Sequence, residues 1–157
     1  YERVLTGAGL RNLYEFLRDA GEARESPVVV AHFAKEDPAE VISTFGLSGK
    51  DALCAAALDL FCSLYGAEAG NLALKCLSTG GVRVGGGIAP KILPALERGD
   101  FIRAFVDERL RNGAPGIVTD PDPANTRAVR AYEKAGFEKA GMVDTPDGPA
   151  LLMVRNA

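Results

Sequence analysis

Three consecutive glycines, Gly85 to Gly87, are the residues of this sequence whose type and spacing first suggest chemistry. They follow Val82–Val84, which predicts a short strand, and they precede Pro90, which is typical of a helix start. Glycine at the end of a strand lets a nucleotide approach the backbone closely, and free N–H groups at the next helix start can bind phosphate. The same pattern also suits a tight turn without a ligand, and it is not a Walker A loop because no Gly-Lys-Ser/Thr follows.

The cysteines and the single histidine indicate neither a disulfide nor a metal site. Cys54 and Cys62 fall in one predicted helix, about 12 Å apart at the helical rise, which is too far for a disulfide. An odd cysteine count, with Cys76 as the third, favours reduced, buried thiols in the cytosol. His32 stands alone in the sequence, whereas a metal site needs closely spaced Cys and His residues.

The elements that must position the glycines form a mixed α/β pattern. Apolar spacing predicts a helix that starts after a turn at residues 6–9 and ends before Gly21. Around it we predict a strand at 1–6 and a loop at 21–37 with a buried strand or helical turn. The predicted helices that follow run from Pro38 to Phe45, from Gly49 with Ser48 as its cap, from Pro90, and from a cap at Asp100. The tail is predicted to contain a strand at 116–119, a helix at 125–135, and a hairpin of 137–143 with 151–154.

Four motifs in register resemble the C-terminal half of bacterial glucokinases over roughly residues 1–105. They are Arg3 to Tyr14, Leu60-Phe61-Cys62, Gly70-Asn71-Leu72-Ala73-Leu74, and Gly80 to Pro90. The resemblance implies a partial actin-like, ribonuclease-H-type kinase fold. It also implies ATP-dependent phosphorylation of glucose at O6, with magnesium neutralising the triphosphate.

The same resemblance assigns the ATP-binding residues. Gly86, Gly87 and Ile88 match the family's adenosine motif, while Gly80 and Gly81 lead into the preceding strand and are secondary candidates. The family's aspartate base, phosphate loop and sugar-binding Glu/His cluster are expected upstream of residue 1. We therefore expect this stretch to be inactive as a kinase by itself.

After about residue 112 the sequence changes character and resembles a second family. The segments Thr119–Asn125, Arg127–Phe137 and Thr145–Ala150 resemble the C-terminal half of the GNAT superfamily of N-acetyltransferases. Within it, the stretch 113–154 is most similar to aminoglycoside 6′-N-acetyltransferases. The implied cofactor is acetyl-CoA, and the implied substrate is an aminoglycoside or another amine. The superfamily's pyrophosphate-binding loop does not occur in this sequence.

Three residues of the tail take roles from this second resemblance. Asn125 would contact the coenzyme A arm, Tyr132 would donate a proton to the departing thiolate, and Asp120 would hold an amino group of the substrate. Each also has an ordinary structural explanation. Asn125 is a good N-cap, Tyr132 can pack beneath the sheet, and Asp120 precedes Pro121 in a turn.

Composition limits the class of protein. A net charge of −3 and a pI near 5.2 argue against general nucleic-acid binding, which needs clustered Lys and Arg. Apolar runs are too short to span a bilayer, and no basic start precedes an apolar segment, so we expect a cytosolic protein without a secretory signal. An initial Tyr1 suggests that the start of a longer protein is missing.

The sequence thus predicts two segments, a glucokinase-like one at 1–105 and an acetyltransferase-like one at 106–157, joined within a helix at about 100–107. The leading reading is part of a glucokinase, with glucose and ATP as ligands. The alternative is an acetyl-CoA-dependent N-acetyltransferase. The third is a non-catalytic chimeric remnant whose open sheet edges invite pairing, including pairing into a homo-oligomer.

Overall fold

The computed structural model describes residues 3–76, 82–113, 115–146 and 148–156, which form a mixed helix-and-sheet chain. Its elements are α1 (Gly7–Asp19), α2 (Pro27–Phe33), α3 (Pro38–Ser48), α4 (Ala52–Lys75), α5 (Leu93–Leu96), α6 (Asp100–Arg111), β1 (Gly116–Thr119), α7 (Thr126–Lys134), β2 (Glu138–Thr145) and β3 (Gly148–Asn156). They divide into two compact units, residues 1–65 with 83–96 and residues 66–82 with 97–157. The predicted segment boundary at 105/106 stays a prediction.

The start of the first unit is helical where the sequence suggested a strand and a turn. The Thr6 hydroxyl accepts the Gly9 N–H at 2.9 Å, so Thr6 is an N-cap and α1 begins at Gly7. The predicted turn at 6–9 is therefore wrong. Residues 3–6 form turns and bends, and the first two residues of the predicted strand lie outside the described part. A capping hydroxyl satisfies a free helix N–H, which outweighs the weak strand pattern before it.

Two further helix boundaries differ from the prediction. Ser48 is the last residue of α3, and Gly49 ends that helix in the left-handed region at φ 66°. Asp51 caps α4 instead, because its Oδ1 accepts the Cys54 N–H at 2.8 Å. The segment 21–37, predicted as a loop with a buried strand or a helical turn, contains the helix α2, with Ser26 as its N-cap. Serine and aspartate side chains can cap a helix or bond to the backbone within one, and only the local geometry made Ser26 and Asp51 the caps and left Ser48 inside α3.

The core of the first unit is formed by α1 to α4 and by residues around Ile92. Its buried members are Leu10, Leu13, Tyr14, Val29, Val41, Ile42, Leu53, Cys54, Ala57, Leu58, Phe61, Cys62, Ile92 and Ala95. By length and composition α4 could cross a membrane, but a core helix passes the same test. Its first half supplies six of these buried residues, which is the burial expected of a core helix.

The second unit contains the predicted strand, helix and hairpin of the tail. Its three strands lie in the order β1-β3-β2, and both pairs are antiparallel. Helices α6 and α7 cover one face through a small core of Val106, Val129, Ala135, Phe137 and Met153. The prediction of these tail elements is confirmed, with a bulge between Lys139 and Gly141 that the sequence did not indicate.

Helix α6 contacts both neighbouring segments within this unit. A Cβ added to Gly66 of α4 would lie 2.1 Å from the Phe101 carbonyl oxygen, so the two helices meet at a glycine. At the other end of α6, Asp107 forms an ion pair with Arg155 of β3. One helix thus packs against the end of α4 and against the tail.

Candidate functional site

The glycine-rich segment is not the strand–turn–helix unit that the sequence predicted. Residues 82–85 belong to no helix or strand in the described structure, and the chain bends at 86–88. Val82 and Val84 have exposed side chains, so no apolar burial favours a sheet there. Gly80 and Gly81 lie outside the described residues.

The helix expected at Pro90 is also absent at that position. Residues 89–92 form turns, in which the Ile88 carbonyl accepts the N–H groups of Lys91 at 3.0 Å and Ile92 at 3.2 Å. Helix α5 begins only at Leu93 and is four residues long. The predicted phosphate site at a helix start therefore has no support here, because so short a helix offers few aligned N–H groups.

The glycines themselves border open space. A Cβ added to Gly85, Gly86 or Gly87 would meet no heavy atom within 4 Å. Gly86 adopts φ 94°, a left-handed backbone that side-chain-bearing residues rarely take. The neighbouring Gly85 carbonyl accepts a hydrogen bond from the Tyr65 hydroxyl at 3.4 Å. The turn thus presents bare backbone to the open space beside it.

Next to the glycines, Ile88 lines a cleft of about 420 Å³ between α3 and residues 88–92. The volume is within the range of roughly 300–1,000 Å³ that is typical of small-molecule sites. The wall residues are Ala39, Glu40, Ser43, Thr44, Leu47, Ile88, Lys91 and Ile92.

The polar groups of this cleft carry defined hydrogen bonds. Lys91 Nζ and Glu40 Oε1 are 2.7 Å apart and both side chains are exposed. The hydrogen bond to Glu40 raises the pKa of Lys91, which keeps the ammonium charged. Ser43 Oγ donates to the Ala39 carbonyl at 2.7 Å.

Sequence reasoning missed the residues that α3 contributes to this cleft. A pattern could have shown them, because Glu40, Ser43, Thr44 and Leu47 follow the i, i+3, i+4, i+7 spacing of one helix face. What the sequence did not indicate is that this face lies against the residues after the glycines.

In the tail, one predicted residue, Tyr132, lies in α7, and another, Asn125, directly precedes that helix. Asn125 and Tyr132 are seven positions apart, so they lie on one face of the helix about 10 Å from each other along its axis. Asn125 Oδ1 accepts the Ala128 N–H at 3.1 Å, which makes it the N-cap. The half-buried Tyr132 ring packs edge-on against Phe137, with centroids 5.4 Å apart.

Asp120 is exposed and follows the end of β1. The carbonyl of the next residue, Pro121, accepts the Leu151 N–H at 2.9 Å, which ties this loop to β3. A cleft of about 220 Å³ lies on another face of α7 and is lined by Thr126, Val129, Arg130 and Glu133 together with Pro123, Lys139 and Leu151. None of the three predicted tail residues lines it.

Among the residues that the structure describes, no group of three or more His, Cys, Asp or Glu could hold a metal ion. Cys54 and Cys62 are buried, as predicted, whereas Cys76 is exposed, so the expectation of a buried thiol is wrong for Cys76. Burial, followed by a hydrogen bond to Asp51, raises the pKa of the Cys54 thiol. A buried thiol with a raised pKa is a weak nucleophile and a poor metal ligand.

Comparison with known proteins assigns the larger segment. The glucokinase family model matches residues 1–113, well over half of the chain. The chain belongs to the glucokinase family. This confirms the resemblance that the four motifs indicated.

Curated glucokinases show the extent of the match. The glucokinase of Synechocystis sp. (strain ATCC 27184 / PCC 6803 / Kazusa) is 45% identical over 132 residues, covering 74% of this chain and 36% of that protein. The glucokinase of Nostoc sp. (strain PCC 7120 / SAG 25.82 / UTEX 2576) is 45% identical over 115 residues, covering 66% and 34%. This glucokinase-family chain therefore spans about a third of the length of these relatives.

The C-terminal part of this glucokinase-family chain matches solved aminoglycoside acetyltransferases. AAC(6′)-Ib in complex with coenzyme A is 49% identical, over 37% of this chain and 34% of that one, with a TM-score of 0.36. The second predicted resemblance is thus confirmed, and the two sets of relatives are consistent with a chimera. With a TM-score this low, the match does not assign the fold of the tail.

Proposed function

We propose that Gly86, Gly87 and Ile88 hold the adenosine of ATP in the partial actin-like kinase fold of a glucokinase. The observation that carries this proposal is the open space over the two glycines, directly beside the cleft that Ile88 lines. Bare backbone allows a ribose or base to approach closely, and the apolar cleft wall can take the base. In the whole enzyme, ATP would phosphorylate glucose at O6, and magnesium would neutralise the triphosphate charge. A cytosolic location follows from this assignment.

The chain alone is expected to bind ATP without phosphorylating glucose. No residue of the four matching motifs corresponds to the family's base or sugar-binding cluster, and losing a general base costs about 10²–10⁴-fold in rate. In the described segments, the 420 Å³ cleft is lined by one carboxylate, Glu40, which is paired with Lys91. That pairing leaves it unsuited to act as a base.

Two measurements on the full chain test this proposal. Titration with a fluorescent ATP analogue should give saturable binding that unlabelled ATP displaces. A coupled assay with ATP, magnesium and glucose should stay at the blank rate. Absence of binding would remove the glycines from the site, and turnover above blank would show that the chain contains its own catalytic groups.

The alternative function, acetyl transfer by the tail, rests on the shared face of Asn125 and Tyr132 on α7. From that face a cofactor arm could meet an amide at one end and a phenol at the other. Both residues also have structural roles, because Asn125 caps the helix and the Tyr132 ring packs on Phe137. No loop of this sequence matches the superfamily's pyrophosphate-binding loop, whose backbone N–H groups would bind the pyrophosphate of coenzyme A.

We therefore expect no acetyl transfer to an aminoglycoside. The test is incubation with acetyl-CoA and kanamycin while thiol release is monitored. Release that disappears in Tyr132→Phe would overturn this expectation and would assign the proton donor. Asp120→Asn should then raise the KM for kanamycin, because a carboxylate attracts the cationic substrate.

The third possibility is a non-catalytic remnant that associates through its sheet. The order β1-β3-β2 leaves β1 and β2 as the edges of the described sheet, and edge strands are templates for pairing. Val118 of β1 is exposed, which favours association into a homo-oligomer. Sedimentation of the purified chain over a range of concentrations would distinguish a monomer from such an assembly.

A further inference from the structure

The phenol of Tyr65, on α4, contacts the segment that carries the candidate nucleotide-binding glycines. Its hydroxyl donates to the Gly85 carbonyl at 3.4 Å, one residue before the left-handed turn at Gly86. We propose that Tyr65 is a positioning residue, which holds this turn in the conformation that accepts a nucleotide. The proposal rests on the proposed function, because it assumes that Gly86 and Gly87 border the adenosine.

Residues 83–87 have few other anchors. They belong to no helix or strand, so no regular backbone hydrogen bonds fix their conformation. Among the residues that the structure describes, the bond to Tyr65 is the one hydrogen bond that joins 83–87 to another element. A Cβ added to Gly85, Gly86 or Gly87 would meet no heavy atom within 4 Å, so the glycines are not held by close packing either. The position of the turn therefore depends on Tyr65.

The three glycines are the reason why an anchor affects binding. Without a Cβ, Gly86 reaches its φ of 94° at little steric cost, but it reaches many other conformations as readily. A free run of glycines therefore loses much backbone entropy when a ligand fixes it. A contact that already restricts the unliganded segment reduces this loss, which is how preorganisation raises affinity.

The Tyr65 ring is itself held by the core of the first unit. The ring is half-buried and packs edge-on against Phe61, with centroids 5.9 Å apart. Phe61 is buried and lies one turn earlier on α4, where residues four apart are neighbours. Only two side-chain torsions separate the phenol from the helix backbone, so the ring has little freedom of its own. The hydroxyl thus connects a core helix to the glycine segment.

The experiment compares Tyr65→Phe with the unmodified full chain in a titration with a fluorescent ATP analogue. The variant keeps the ring and its packing on Phe61 and removes only the hydroxyl. One neutral hydrogen bond is worth roughly two- to tenfold in an equilibrium constant, and 3.4 Å is long for an O–H···O bond. We therefore expect the variant to bind the analogue about two- to fivefold more weakly.

A probe on the segment measures the positioning directly. Val84 is exposed next to the glycines, so Val84→Cys in a Cys76→Ser background can carry a thiol-reactive fluorophore while the two buried cysteines stay protected. In this labelled chain, Tyr65→Phe should lower the fluorescence anisotropy of the probe without nucleotide, because the segment then moves more freely. A role of Tyr65 in stability alone would leave the anisotropy unchanged.

The matched control is Ser48→Ala. The Ser48 hydroxyl also donates to a backbone carbonyl in the first unit, that of Thr44 at 2.8 Å, but this bond lies within α3. The variant should keep both the affinity for the ATP analogue and the anisotropy of the probe. Urea unfolding of both variants checks that each is folded during the titration.

The outcomes separate this inference from the proposed function. If Gly87→Val abolishes binding of the analogue but Tyr65→Phe binds it as tightly as Ser48→Ala does, the proposed function stands and the inference is wrong. Equal anisotropy with and without the Tyr65 hydroxyl also refutes the inference, because the bond then does not hold the segment. If the unmodified chain does not bind the analogue, both are wrong.

Discussion

Valine substitutions at Gly86 and Gly87 should have opposite effects on stability and the same effect on nucleotide binding. Gly86 has φ 94°, whereas Gly87 lies outside the left-handed region, and both border open space. A side chain at a left-handed position costs about 1–2 kcal/mol, and more when it is β-branched. At an unstrained position, replacing glycine restricts the unfolded chain and adds about 0.4–1 kcal/mol of stability. We therefore expect Gly87→Val to be the more stable variant by about 2 kcal/mol.

Urea unfolding monitored by circular dichroism measures this difference. With m-values of about 1–3 kcal/mol per molar for small proteins, the two midpoints should differ by roughly 1 M. Titration with a fluorescent ATP analogue measures binding. Each valine fills the space that adenosine would occupy, so both variants should lose at least about tenfold in affinity, or 1.4 kcal/mol.

Gly21→Val is the control for strain. Gly21 also has a left-handed backbone, at φ 78°, and open space around an added Cβ, but it follows α1 and lies outside the site. It should lose about as much stability as Gly86→Val and keep full nucleotide affinity. Unchanged ATP affinity in Gly87→Val would refute our placement of the adenosine. So would an equal loss of affinity in Gly21→Val and Gly86→Val, because strain alone would then explain it.

The remaining predictions concern Tyr14, the cysteines and the capping residue Asn125. The Tyr14 hydroxyl is buried with no hydrogen-bond partner among the described residues. Tyr14→Phe should therefore raise the free energy of unfolding by about 1–3 kcal/mol. A loss of stability in this variant would show instead that the hydroxyl donates to Glu25. Burial, then the charge of Glu25, raises the pKa of Tyr14. The free energy of unfolding should therefore be insensitive to this group below the unfolded pKa of about 10 and should fall as pH rises further, because the unfolded tyrosine ionises first; urea midpoints between pH 9 and 11 should fall less in Tyr14→Phe. In the native protein, a chromogenic disulfide reagent should react rapidly with the exposed Cys76 alone, and after denaturation it should react with all three thiols. If the native Cys76→Ser variant still reacted rapidly, the burial of Cys54 and Cys62 would be contradicted. Asn125→Ala should lower the free energy of unfolding by about 1 kcal/mol, because the helix loses its cap, whereas Asn125→Asp should keep a capping oxygen and the original stability. Equal unfolding midpoints for the two variants would contradict the capping role.

Elements with strong local patterns were predictable, and elements that depend on distant partners were not. The helix at 126–134 has a capping asparagine and a clear apolar face, and the hairpin after it has Pro-Asp-Gly between two apolar runs; both were predicted. The strand at 82–84 failed, because alternating valines form a strand only when a neighbouring strand pairs with them. Ser48 was assigned to the wrong helix, because a serine can cap the next helix or end the previous one.

By itself, the sequence indicated the glucokinase family and the resemblance of the tail to acetyltransferases, because motifs in a fixed order and spacing can be recognised without any knowledge of contacts. It also determined that Gly86 and Gly87 are candidates for bare backbone beside a nucleotide. Only the tertiary structure decided which side chains line the cleft next to those glycines. Glu40 and Ser43 are more than 40 residues away in sequence, and the packing of α3 against residues 88–92 brings them to the cleft that Ile88 lines. The physical reason is that spacing along the chain determines which residues share a helix face. Which segment packs against that face depends on the burial of apolar surface across the whole unit.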